Sequence, residues 1–166
     1  KNVFALGYGL GTWGGSLIIL GENQPDYVRA NSGPLCFKYV RTLSNRTELG
    51  VNLSYAKYKI GKAPAYFQYS YDDIYSAYSI LARLNIFINR TEKVDTYFGF
   101  GIGYGNGKLT DSDGNLNPSH DYTIIDLLSF MEATVGARVY FTNRFGVYGE
   151  FGASKSLLQF GLAYRF

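Results

Sequence analysis

Asp95-Thr-Tyr-Phe-Gly-Phe-Gly-Ile-Gly-Tyr-Gly105 alternates without a break. Phe98, Phe100, Ile102 and Tyr104 fall on one face of an extended chain, and Gly99, Gly101, Gly103 and Gly105 fall on the other. A repeat of two over this length specifies a strand and excludes an amphipathic helix. The same reading recurs along the chain. Residues 3–12 set Phe4, Leu6, Tyr8 and Leu10 against Gly7, Gly9 and Gly11. Residues 78–88 set Tyr78, Ile80, Ala82, Leu84 and Ile86 against Arg83 and Asn85. Counted this way, eight strands are expected, at 3–12, 34–43, 48–58, 78–88, 95–105, 127–141, 145–152 and 157–166.

The spacing of the strands supplies the topology. Asn-Arg occurs at 45–46, 89–90 and 143–144, each time between two strands, where Asn tolerates the turn conformation. Long connections are expected at 14–33, 59–77 and 106–126, and a short one near 153–156. Short turns on one rim and long loops on the other predict an up-and-down antiparallel meander.

Composition narrows the class. Gly, Tyr and Phe supply 20, 16 and 12 of the 166 residues, and charged residues are only 17%. Average Gly usage is about 7% and average charge about 25%. The 46% hydrophobic content excludes a disordered chain. Mean hydropathy is −0.10, and Leu17-Ile-Ile-Leu20 is the longest aliphatic run, so a helical membrane protein is excluded. Net charge +3 with scattered basic residues offers no nucleic-acid surface.

Two architectures fit eight alternating strands, and the glycines separate them. In a soluble barrel the Gly face would meet water, where strands usually carry Lys, Glu and Thr. In a transmembrane barrel the apolar face meets lipid and the Gly face fills a narrow interior, making room for Tyr97, Tyr148, Arg83 and Arg138. The polar residues Lys38, Glu48, Asn52, Arg83, Asn85, Glu132, Arg138, Glu150, Gln159 and Arg165 share that Gly face and carry both signs of charge. They are expected to form an interior polar network, with Lys38, Arg83 and Glu150 at one depth and Glu48, Arg138 and Arg165 nearer the short-turn rim. On the lipid side a midplane Arg would cost about 2–4 kcal/mol, and Arg41 is the one clear strand charge there. Tyr55, Tyr78 and Tyr104 toward the long-loop rim, and Phe141, Phe145 and Phe166 toward the short-turn rim, are placed as interfacial girdles. The expected fold is therefore an all-β, eight-stranded antiparallel up-and-down transmembrane β-barrel, a single domain over 1–166.

The chain ends Gln159-Phe-Gly-Leu-Ala-Tyr-Arg-Phe166, with Phe160, Leu162, Tyr164 and Phe166 alternating. This ending resembles the signal by which bacterial outer-membrane barrels are recognised for insertion. The whole chain resembles the small eight-stranded barrels of the OmpA/OmpX type. That resemblance implies a mature outer-membrane protein with its signal peptide removed, contacts with outer-membrane lipid and lipopolysaccharide, and passage through the barrel-assembly machinery. No appended soluble domain is expected, a departure from full-length OmpA-type proteins that would remove their peptidoglycan-binding role.

Catalysis is not expected. His120 is the only histidine, flanked by Ser119 and Asp121, and the His-x-Ser pattern that resemblance to the lipid A deacylases would require is absent. The Asp/Asn-rich stretch 111–119 lacks EF-hand spacing, so neither a metal nor a cofactor is expected. Two loops carry residues a barrel wall does not need: Leu17, Ile18, Ile19 and Leu20 in the first, Tyr66, Phe67, Tyr69 and Tyr71 in the second. They are the expected contacts for a partner, such as another outer-membrane protein. The function expected is a non-enzymatic scaffold or interaction protein with a plugged interior, an accessory subunit of a larger outer-membrane complex. The competing readings are a narrow passage for a small hydrophobic molecule and a lipid A-modifying enzyme.

Overall fold

A computed structural model of the chain describes residues 1–10, 26–62, 72–110 and 130–166, with backbone only at 26–32, 58–62, 72–75 and 108–110. Eight strands make up these residues: β1 (Asn2–Leu10), β2 (Asp26–Thr42), β3 (Thr47–Lys62), β4 (Asp72–Arg90), β5 (Val94–Thr110), β6 (Met131–Tyr140), β7 (Phe145–Ala153) and β8 (Leu158–Arg165). Each pairs antiparallel with the next, and β1 pairs with β8, so the sheet closes into a barrel. At this closing seam Asn2 N donates to Phe166 O at 2.8 Å and Phe166 N donates to Asn2 O at 3.0 Å. Short turns after β2, β4 and β6 share a rim with both chain ends.

Burial alternates strand by strand, as the period of two requires. Outward side chains form a continuous apolar belt, in which Leu6, Ile102 and Leu162 are each 60% exposed or more. Inward side chains include Lys38, Glu48, Arg83, Glu132, Arg138 and Glu150, all at most 5% exposed. A fold that shows Leu and Phe outward and buries Arg and Glu is built for a hydrocarbon solvent. The molecule is an eight-stranded transmembrane β-barrel with the architecture of the small outer-membrane barrels.

Aromatic residues bound the belt at both ends. Phe4 stacks on Phe166 at 5.3 Å between ring centroids, and Phe145 meets Tyr164 at 4.8 Å near the short-turn rim. At the other end Tyr55 pairs with Tyr78, whose ring lies 6.4 Å from that of Tyr104.

The connections expected at 14–33, 59–77 and 106–126 are in part strand. β2 starts at Asp26, β3 continues to Lys62, β4 starts at Asp72 and β5 runs to Thr110. The ladder persists past the tyrosine girdle, although the apolar alternation that reports lipid contact stops there. Over the described residues, β2–β5 run for 16 to 19 residues, while β7 and β8 run for 9 and 8. Residues 127–129, with the loop positions Leu17–Leu20, Tyr66–Tyr71 and Ser119–Asp121, lie outside the described residues.

Candidate functional site

Eight strands leave a lumen just wide enough to be filled by side chains. Its middle level is organised by Arg83 of β4. The Arg83 guanidinium reaches Glu132 Oε1 at 2.6 Å and Glu150 Oε1 at 3.0 Å, and donates to Thr134 Oγ1 at 3.2 Å and Asn85 Oδ1 at 2.8 Å. Lys38 of β2 answers the other Glu150 oxygen at 2.6 Å and donates to Gln159 Oε1 at 2.8 Å. Tyr97 OH donates to Glu150 at 2.8 Å, and Asn52 Nδ2 donates to Glu132 at 2.6 Å. Two cations and two carboxylates, drawn from four strands, thereby neutralise one another. The planar five-donor fork of Arg explains its place at the centre, since it spans both carboxylates at once.

Glycine makes this level possible. A Cβ on Gly99 would fall on the Arg83 guanidinium, and one on Gly101 would lie 2.5 Å from Glu132 Cγ. The strand that decides the fold in the sequence is therefore also the strand that clears space for the network.

A second level lies toward the short-turn rim. Glu48 takes Arg138 Nη1 at 2.8 Å, Arg90 Nη2 at 3.3 Å and Asn85 Nδ2 at 3.2 Å. Asp95 faces Arg90 Nε at 3.9 Å. Asn85 joins the levels by accepting from Arg83 and donating to Glu48. Tyr97 joins them as well, with the Arg138 guanidinium 4.6 Å from its ring centre.

Nine of the ten expected network residues meet in these two levels. Arg165 does not join them. Its guanidinium donates to the carbonyls of Asn143 and Glu92 at the rim and lies 4.0 Å from the Tyr140 ring centre. Arg165 lies at the short-turn rim, level with the turns after β4 and β6, so its side chain meets their backbones rather than a facing strand. The sequence reading missed Tyr97 and Thr134 as hydrogen-bond partners, and Arg90 and Asp95 as a charge pair. Tyr97 and Asp95 share the Gly parity of β5, which is the signal that finds them. Arg90 has no such signal. The β4–β5 register slips between Phe87 and Asn89, a bulge that reverses the alternation and turns Arg90 inward.

Among the described residues, no three His, Cys, Asp or Glu side chains gather closely enough to hold a metal ion. His120 and its neighbours lie outside the described residues.

No protein-family model matches this chain, and no curated protein matches it. Among solved structures, the chain is similar to the crystal structure of Ail, the attachment invasion locus protein of Yersinia pestis, in complex with the heparin analogue sucrose octasulfate. That match has 18% identity and a TM-score of 0.47, covering 100% of this chain and 99% of that one. A second crystal structure of Ail matches at 16% identity and a TM-score of 0.41, over 99% of this chain and 96% of that one.

Proposed function

We propose that this chain is an integral barrel of the bacterial outer membrane that works as a non-enzymatic interaction protein, an accessory subunit of a larger outer-membrane assembly. The observation that carries the reading is the unequal height of the wall. A strand crosses a bilayer in about 9–11 residues, and β7 and β8, joined by the short connection at 154–157, stay close to that length. Beyond the Tyr55–Tyr78–Tyr104 girdle, β3, β4 and β5 each continue for roughly six residues, or about 20 Å at the strand rise. β2 accompanies them, paired with β3 out to Asp26. Spanning the membrane does not require this four-stranded projection; offering a surface outside it does. The neutralised charges of the lumen support the same reading, because a filled, internally paired interior favours a scaffold over an ion channel.

Affinity purification from outer membranes in mild detergent tests the proposal. A specific outer-membrane protein should co-purify with the wild type. Its recovery should fall in the Ile18→Ser/Phe67→Ser variant while heat-modifiable gel migration is kept. Recovery of no specific protein, together with altered lipid A acylation that depends on His120, would replace this reading with the enzyme. Stable conductance in planar bilayers would replace it with a channel.

A further inference from the structure

Basic residues that lie scattered along the sequence are gathered by the fold. The turns after β2, β4 and β6 share one rim with the start of β1 and the end of β8, and each of these places brings a cation. Arg46 stands in the first turn, Lys93 in the second and Arg144 in the third. Lys1 precedes β1, Arg165 ends β8, and Arg41 lies one residue before the end of β2. Backbone hydrogen bonds tie these places to their neighbours. Thr42 N donates to Lys1 O at 2.9 Å, Phe87 N to Arg46 O at 2.8 Å, Tyr140 N to Lys93 O at 2.8 Å and Arg165 N to Arg144 O at 2.7 Å.

Among the described residues, none of these six cations joins an ion pair. The inward acids of this end are already committed, Glu48 to Arg138 and Arg90, and Asp95 to Arg90. Glu92 is the single acid left on the rim, in a chain whose net charge is only +3. An α-amine at Lys1 and a carboxylate at Phe166 would cancel and leave this balance unchanged. Lys1, Arg41, Arg46, Lys93 and Arg144 are exposed. Arg165 is half-buried and spends its hydrogen bonds on the carbonyls of Asn143 and Glu92, which cancel no charge. Lys1, Arg144 and Arg165 line one open depression of about 710 Å³, with Glu92 the only acid in its lining.

Aromatic residues fix the depth of this ring. Arg144 directly precedes Phe145, whose side chain meets Tyr164 in the belt. Arg41 lies two residues beyond Tyr39 on the outward face of β2, about 7 Å further along, and Tyr39 packs on Phe4 at 5.0 Å between ring centroids. Cations just past an aromatic girdle stand among lipid headgroups, with their apolar stems along the wall. A cluster on one side would suit a docking protein. Cations in three turns and at the seam between β1 and β8 instead encircle the barrel, and the partner that encircles it at that depth is the lipid leaflet. We propose that the short-turn rim is a binding collar for anionic phospholipids, whose phosphates meet these six cations while their acyl chains lie on the apolar wall. The collar depends on the membrane-spanning barrel and not on the accessory-subunit reading.

The test reconstitutes the whole barrel in phosphatidylcholine vesicles that carry a trace of spin-labelled phosphatidylglycerol or spin-labelled phosphatidylcholine. The fraction of each label slowed by the protein reports its association with the wall. Phosphatidylglycerol should associate about fivefold more strongly at a site beside one cation, and about twofold more strongly when averaged over the whole wall. The preference should shrink in roughly 0.5 M sodium chloride, which screens exposed charges. The Arg46→Gln/Lys93→Gln/Arg144→Gln variant should lose most of it while keeping heat-modifiable gel migration, and the Arg46→Lys/Lys93→Arg/Arg144→Lys variant should keep it. Equal association of the two labelled lipids, or an undiminished preference in the glutamine variant, overturns the proposal. So does an acidic protein that co-purifies through these residues when no lipid preference is seen, since the rim would then be a protein interface.

Discussion

Every ionised side chain in the middle and lower lumen meets an opposite charge from elsewhere in the barrel, whereas the Lys155 ammonium at the outer mouth meets none. The two regions share one barrel wall, with the network residues buried and Lys155 partly so. They differ in what the register delivers. Below, β2, β3, β4, β6 and β7 bring their charges to common heights, so Glu48, Glu132 and Glu150 each collect several donors. Above, the inward positions of β1 and β2 are Gly7, Gly9, Pro34 and Cys36, which carry no countercharge. Burial of charge serves cohesion where the partner is built in, and remains a cost where it is not.

The largest expected effect lies in the middle level. Arg83→Met strands two carboxylates, and breaking a buried pair in this way costs about 3–5 kcal/mol. Urea unfolding of the lipid-embedded barrel should show that loss, and adding Glu132→Gln should restore part of it. A loss below about 1 kcal/mol would mean that the level is hydrated and the contrast between the regions is false.

A smaller effect separates lumen from wall. Gly99→Val drives a side chain into the Arg83 guanidinium, and overpacking of this kind costs about 1–3 kcal/mol. Gly149→Val is the control. Gly149 points to lipid, and the nearest atom to a Cβ there is Gln159 O at 4.0 Å, so its unfolding midpoint should stay close to wild type.

The smallest effect is a pH dependence at the outer mouth. Below about pH 8 Lys155 is charged whether the barrel is folded or unfolded, and the folded state carries the full cost of burying it. Between about 8 and the ordinary lysine value of 10.5, the folded state releases the proton while the unfolded state keeps it. Stability relative to Lys155→Met should therefore rise with pH across that window. Parallel wild-type and variant profiles would show that the amine already has a partner.

The barrel was legible wherever lipid forced the pattern. Phe98, Phe100, Ile102 and Tyr104 against four glycines specify a strand, its two faces and the direction each one points. Strand length was not legible, because beyond the girdle no apolar face is required. Lys59-Ile-Gly-Lys62 and Gly107-Lys-Leu-Thr110 read as loops yet continue the ladder. Network membership was legible for residues in regular alternation and illegible after the bulge at Arg90, where one extra residue changes the face. Lys155 sits in a turn between two serines, where the sequence reads as solvent-facing, and only the fold takes its amine out of water.

The seam between β1 and β8 gives assembly a fixed order. Seven of the eight strand pairings join neighbours along the chain, and each hairpin forms by closing one local loop. The eighth pairs Val3 with Arg165 and Leu10 with Leu158, the most distant partners among the described residues. Closing so long a loop costs the most chain entropy and belongs at the end of the folding reaction. Until then both edges of the sheet stay open, with the inward faces of Gly7 and Gly161 ready to admit whichever strand arrives. An added strand of matching alternation supplied at that moment would compete with β8, so the interval before closure is when the chain is most exposed to mispairing.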